Sequence, residues 1–298
     1  MKSSPVRITL AAIPLTVAMA SAHGAQLKPF VLAYTADGTV NQVTDQVRSK
    51  LTGAGFTVVG SYSPYKGAEV IGVTSPDLKQ AAAKTEYGAY GVVQRVTVTK
   101  SKDGIQVAYT NPVYMADAYH MKSDLGNVAA KLKQALGDRR TYGSEDGLSP
   151  SDLKGYHYMF GMPYFGDMDT LATYGSHQAA LKAVKKGLAE KRGGVSEVYQ
   201  VNIPERNETL FGVHMTKGCS GDQYIMSRVD FKQTKSTGHL PYGMLVDGDK
   251  VFTLAPKFRI AIDFPDLGMV GSHSFMSIMC APNAIQSALT KAAGGKSG

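Results

Sequence analysis

Cysteine is scarce: Cys219 and Cys280 are the only two in 298 residues. Neither Cys-x-x-Cys nor Cys-x-x-Cys-His occurs, which argues against a thiol-redox motif and covalent c-type haem. His-Glu-x-x-His is missing, and with it the common zinc-protease signature. No Gly-x-Ser-x-Gly is present, and the seven histidines show no linked nucleophile–base pattern. Beyond residue 22 no apolar run reaches the ~20 residues that a membrane-spanning helix needs. A clustered basic stripe is also missing. The net charge of +8, or +6 without Lys2 and Arg7, divides into +3 in each half. Such an even spread is not the footprint of a nucleic-acid binder.

What is present begins with an export signal. Lys2 and Arg7 precede an uncharged run from Ile8 to Ala20, which ends in Ala18, Ala20, Ser21 and Ala22. A basic start, a short apolar core and an Ala-x-Ala exit predict a secretory signal peptide over residues 1–22, cleaved after Ala22 or Ala25. The mature chain is therefore expected to be periplasmic or secreted. An even cysteine count in an oxidising compartment favours a Cys219–Cys280 disulfide; two free thiolates are the alternative.

The remaining residues read as one unit written twice. In the first half, Phe30 to Tyr34 is a strand, and Thr39 with Gln42 forms a capping box. Val40, Val43, Val47 and Leu51 then line one helical face. Strands follow at Phe56 to Val59 and Glu69 to Val73, then an alanine-rich helix from Pro76, then a hairpin about Asp103-Gly104. A helix capped by Ser123 closes the unit. The second half repeats the order: a helix from Ser176, strands at Val195 to Val201 and Thr209 to Val213, a hairpin about Asp247-Gly248, and a last helix from Pro282. Leu51 and Leu188 differ by 137 positions and Gly72 and Gly212 by 140. Gly104 and Gly248, Pro112 and Pro256, and Tyr114 and Phe258 each differ by 144, whereas Leu132 and Leu289 differ by 157. One order with small insertions is the mark of duplication.

Gly91 to Val98, Asp103-Gly104 and Val107 to Ala116, with its Asn111-Pro112 step, resemble the domain of unknown function 302 family. His239 to Val251 and Ala255-Pro256 are similar in the second half. The resemblance covers about 75 residues of each half and implies a compact sheet with helices packed on it. It carries over no activity and no catalytic residue. The expected fold is thus α+β: two related lobes, each an antiparallel-rich β-sheet carrying helices. The first lobe occupies 27–140 and the second 169–298, with an insertion near 268–280. Residues 141–168 form a linker and an interlobe segment that is too apolar for an exposed loop.

Three functional readings follow. The leading one is an exported, non-enzymatic binding protein of two lobes, for a small molecule or an exported protein partner. Its ligand would lie between the lobes, against an aromatic wall of Tyr156, Tyr158, Phe160, Tyr164 and Phe165; those rings equally suit plain packing. The second is copper binding or delivery. Methionines crowd from Met159 to Met279, and His214, Met215, His273, Met276 and Met279 offer imidazole and thioether donors suited to Cu(I). His157, Met159 and Met162 form a lesser set. Methionine filling core gaps explains the same residues without metal. The third is an enzyme whose site assembles only in space. No catalytic residue and no cofactor is predicted, copper being the alternative. The acidic pair Asp247/Asp249 is explained by the hairpin turn.

Overall fold

The computed structural model describes residues 26–296; the predicted signal peptide lies outside the described residues. In chain order the first half runs β1 (Phe30–Ala36), α1 (Val40–Gly53), β2 (Thr57–Tyr62), β3 (Ala68–Thr74), α2 (Pro76–Ala83), β4 (Gln94–Ser101), β5 (Gly104–Thr110), α3 (Pro112–Ala118) and α4 (Gly126–Leu136). A short β6 (Arg140–Tyr142) and α5 (Pro150–Lys154) follow. The second half runs β7 (Asp169–Thr173), α6 (His177–Ala189), β8 (Val195–Ile203), β9 (Glu208–Met215), α7 (Asp222–Val229), β10 (Tyr242–Asp247), β11 (Lys250–Thr253), α8 (Pro256–Asp263) and α9 (Ala281–Ala293). The fold is α+β, with two antiparallel sheets.

The sheets share one strand order. The first is β2-β3-β4-β5-β1-β6 and the second is β8-β9-β10-β11-β7, so only β6, added outside β1, lacks a counterpart. Even an irregularity recurs: the register shifts between Val58 and Gly60 in β2 and between Glu197 and Tyr199 in β8. Among the described residues no helix is long and apolar enough to cross a membrane.

Local chemistry explains where the helices start. Thr39 accepts from the Gln42 amide and the Gln42 side chain accepts from Thr39 N, the reciprocal capping box read from sequence. Ser176 caps α6 through the Ala179 amide. Ser123, by contrast, is not the cap of α4. That position is held by Leu125, whose φ of 55° lies in the left-handed region, and its side chain is 1% exposed. Burial of the leucine outweighs the backbone cost. The two hairpins also differ. Ser101 pairs with Gly104 around Lys102-Asp103, but Asp247 pairs with Lys250 around Gly248-Asp249. Of the four turn residues expected to need positive φ, only Gly104 (115°) and Gly248 (53°) have it.

The two halves share an interior. Helices α1 and α4 cover one face of the first sheet with Val43, Val47, Leu51, Val128 and Leu132, and α6 and α9 cover the second sheet with Val184, Leu188, Ile285 and Leu289. Tyr199, Val201, Ile203, Leu210 and Leu245 of the second sheet join the apolar cluster of the first half. Strand β2 meets β8 so closely that a Cβ on Gly60 would lie 2.1 Å from the Val198 carbonyl oxygen. The Tyr199 ring lies over Gly72 and Gly212, where added methyls would fall 2.8 Å and 2.2 Å from its atoms. Hydrogen bonds cross the same boundary. Tyr114 donates to the Ile262 carbonyl at 2.7 Å, and Gln106 to the Lys235 carbonyl at 2.7 Å.

A disulfide joins Cys219 to Cys280. It ties the segment after β9 to the start of α9, two of the places where the second half is longer than the first.

Candidate functional site

The polar residues between the sheets form the most unusual chemistry in the molecule. Arg95 on β4 and Arg259 on α8 are 7% and 3% exposed, yet arginine is almost never so buried without a partner. Arg259 has one: Asp263, one turn later on α8, which also takes a 2.8 Å hydrogen bond from His239 Nδ1. His239 Nε2 accepts from the Tyr242 hydroxyl at 2.9 Å, and Arg259 donates to the His239 carbonyl. Burial, then Arg259 and Arg95, hold His239 well below its usual value, so its ring is neutral and has one proton, on Nδ1. Burial and the nearby Arg95 lower Arg259 to about 10, still a cation.

Arg95 is different. Among the described residues no carboxylate pairs with it, its Nη2 reaches only the Met115 sulfur at 3.8 Å, and its Nε has no partner. The Tyr90 hydroxyl is likewise buried without a partner. Arg95, Arg259, Tyr90, Tyr119, Tyr199 and Tyr242 line one cavity of about 20 Å³, room for a water-sized occupant. Burial raises the Tyr90 and Tyr242 phenols well above the usual value and Tyr199 to about 12. For Tyr119 burial acts in the same direction, but the nearby positive charges of Arg259 and Arg95 together win, and its phenol is lowered. The cavity is therefore a pocket of positive potential walled by hydroxyls.

These residues obey the spacing of the duplication. Arg95 and His239, Met115 and Arg259, and Tyr119 and Asp263 are each separated by 144 positions. One half places Arg-Met-Tyr where the other places His-Arg-Asp. Sequence reasoning passed over all of them, because it tested the offset on glycine, proline and apolar positions only. The usable signal was Arg95 inside an otherwise apolar strand pattern, together with Arg259 and Asp263 four residues apart after Pro256.

No family model, curated protein or solved structure matches this chain. Its chemistry has to be read from the cavity itself.

The predicted aromatic wall is dispersed. Phe160 is 100% exposed, Tyr164 is exposed and stacks beside His157, and Tyr156 and Tyr158 donate to the Ala261 and Leu267 carbonyls. Only Phe165 is buried, and it meets the cavity from outside through Tyr90 and Tyr119. The 141–168 segment is thus not uniformly buried. It forms a surface strap that inserts one ring, because hydrogen bonds to backbone carbonyls fix Tyr156 and Tyr158 at the rim. The sulfur and imidazole residues sit at different depths. Met215 is in the core at 1% exposure, while Met276 and Met279 are on the surface. His273 Nδ1 donates to the Arg228 carbonyl and its ring stacks on Phe231 at 4.3 Å, and His214 lies beside Tyr62. Among the described residues no three of His, Cys, Asp and Glu gather around a common centre, and the disulfide engages both cysteine sulfurs.

A second buried acid lies away from the cavity. Asp222, first residue of α7, accepts from the Tyr62 hydroxyl at 2.8 Å, with His214 Nε2 at 3.9 Å. Burial, opposed by the hydrogen bonds from Tyr62 and Met215, pushes its carboxyl up to about 8, and burial pushes Asp230 to about 7. An aspartate in the unfolded chain titrates near ~3.9. Between those values the folded chain keeps a proton that the unfolded chain has released, so stability is full at low pH and falls as pH rises. The slope is up to ~1.4 kcal/mol per pH unit for each acid. Asp222→Asn is expected to flatten it, leaving wild type roughly 2–3 kcal/mol less stable relative to the variant at pH 7 than at pH 5. Urea titrations at both pH values check this; parallel slopes for the two proteins would refute it.

Proposed function

We propose that this chain is an exported, non-enzymatic binding protein that holds a small polar ligand between its two sheets. One observation carries the reading: a small polar cavity in which the buried Arg95 guanidinium has no protein counter-charge. Burying an unpaired cation is costly, and a ligand that supplies the missing partner recovers that cost. A cavity with a few convergent polar groups is the usual form of a small-molecule site.

The enzymatic alternative draws on the order Tyr242–His239–Asp263, a hydroxyl, an imidazole and a carboxylate in line. A nucleophile in such a relay needs an activated hydroxyl within reach of substrate. Tyr242 is instead 1% exposed and held firmly protonated, so the relay supports positioning of Arg259 better than catalysis. The disulfide supports an oxidising compartment, periplasmic or extracellular. The shared strand order supports duplication, and kinship with the domain of unknown function 302 family rests on the two hairpin segments.

The test is a thermal-shift screen against small organic acids, inorganic anions and neutral polar metabolites. At least one compound is expected to raise Tm by a few degrees, as binding to the folded state alone requires, and Arg95→Met is expected to abolish that rise. A screen in which no compound stabilises the protein, with Arg95→Met as stable as wild type, would remove the reading.

A further inference from the structure

We infer that the cavity ligand is a small monovalent anion of halide size, held by the Arg95 guanidinium and capped by the Tyr90 and Tyr119 hydroxyls. This inference rests on the binding-protein reading above and narrows its ligand class.

Charge comes first. Within the cluster the guanidiniums of Arg95 and Arg259 face a single carboxylate, Asp263, and His239 is neutral, so one positive charge is left over. Arg259 pairs with Asp263 Oδ2 within one helical turn, Oδ1 having no partner. The excess charge therefore resides on Arg95. A single negative charge balances it, whereas a dianion would leave an unpaired negative charge in a dry interior at similar cost.

Donor geometry points the same way. Arg95 Nε–H and the Tyr90 hydroxyl are the cavity-lining donors with no partner. Tyr119 lines the same cavity, its phenol lowered by the nearby Arg259 and Arg95 guanidiniums, and its hydroxyl has a proton to give. The two unpartnered donors fit an occupant that accepts. Water accepts as well, but it brings two protons that need acceptors and no charge. The cavity of about 20 Å³ limits the occupant to about one heavy atom, or a very small oxyanion lying flat. Sulfate and phosphate, with four oxygens around a central atom, exceed it.

Tyr119 supplies both a competitor and a reporter. With the cavity free of anion, ionised Tyr119 would itself balance Arg95. A halide bound beside it makes that ionisation harder, because like charges repel at short range in a low-dielectric site. Halide binding and Tyr119 ionisation thus oppose each other, and each reads out the other. The chain contains no tryptophan, so the near-ultraviolet tyrosinate band is unobscured.

The experiment is a spectrophotometric pH titration of the full mature protein in sodium chloride, with sodium sulfate at matched ionic strength as control. Chloride is expected to move the earliest tyrosine ionisation to higher pH and to raise Tm at neutral pH, with bromide acting similarly and sulfate doing neither. Tyr119→Phe should remove the early ionisation and, since it deletes one of the capping hydroxyls, weaken chloride stabilisation without abolishing it. Arg95→Met should weaken the chloride dependence of Tm by roughly ten- to a hundredfold in concentration. Arg95→Lys, which keeps the charge but loses the forked donors, should fall between and guards against misfolding of the methionine variant. Equal effects of chloride and sulfate, or a chloride effect unchanged in both Arg95 variants, would overturn the inference. If instead a neutral or larger compound from the screen stabilises the protein through Arg95 while chloride does nothing, the anion assignment fails and the binding reading stands. If neither chloride nor any screened compound acts, both fail.

Discussion

Asp263→Ala is expected to destabilise the protein by ~3–5 kcal/mol, the cost of leaving one member of a buried ion pair without its partner. Arg259 and Asp263 are 3% and 0% exposed and sit one turn apart on α8. Removing the carboxylate leaves two buried guanidiniums, Arg259 and Arg95, facing one cavity with no protein anion between them. It also strips His239 Nδ1–H of its acceptor. Asp263→Asn is expected to cost less, since the amide oxygen still accepts from His239 and only the charge is lost. Urea unfolding of the three proteins decides the matter; a loss under ~1 kcal/mol for alanine would mean that the charge is solvated or that the pair is not formed. The double variant Asp263→Ala with Arg259→Met should recover part of the loss, because apolar replacement of a whole buried pair is often neutral or better.

Reduction of the Cys219–Cys280 disulfide is expected to cost ~4 kcal/mol by the chain-entropy relation for a loop of this length, the sequence separation being 61 residues. No cysteine among the described residues is free, so thiol counting in denaturant should find none before reduction and two after. The Cys219→Ser/Cys280→Ser double variant should unfold at a urea midpoint matching that of reduced wild type. A midpoint indistinguishable from that of oxidised wild type would show that the 219 and 280 segments are already held by packing. The loss is expected to be concentrated in the second half, where the bond fastens the long 268–280 insertion to the end of β9, and the first sheet should retain its slow amide exchange longest.

The repeated order of elements was legible because its strongest markers are local. A capping box, two Asp-Gly hairpins and paired strand glycines need only a few residues each, and Gly72 and Gly212 prove to be matched positions under one tyrosine ring. Helices α3, α7 and α8 were not legible. Each is only 7 or 8 residues long, and α3 and α8 are buried nearly all round, so neither shows a polar face. The cavity was hidden for another reason. Arg95, Tyr119, His239, Arg259 and Asp263 are spread over four segments, and only the pairing of two sheets brings them together. The aromatic-rich 156–168 stretch drew attention by composition, yet its rings mostly serve as rim and surface. Composition marks where apolar area is, whereas a site is marked by polar groups placed where apolar ones would be cheaper.

Tyr199 occupies the position that Gly60 holds in the other half: both follow the same register shift, and each pairs with the matching glycine, Gly212 or Gly72. A large ring on one side therefore fits against a bare backbone on the other. Two tyrosines would collide at that crossing, and two glycines would leave a hole. Neither half can now stand in for its twin, so a symmetric pair made from two copies of either one should assemble poorly. The similar order of elements is thus joined by unlike residues where the two sheets cross.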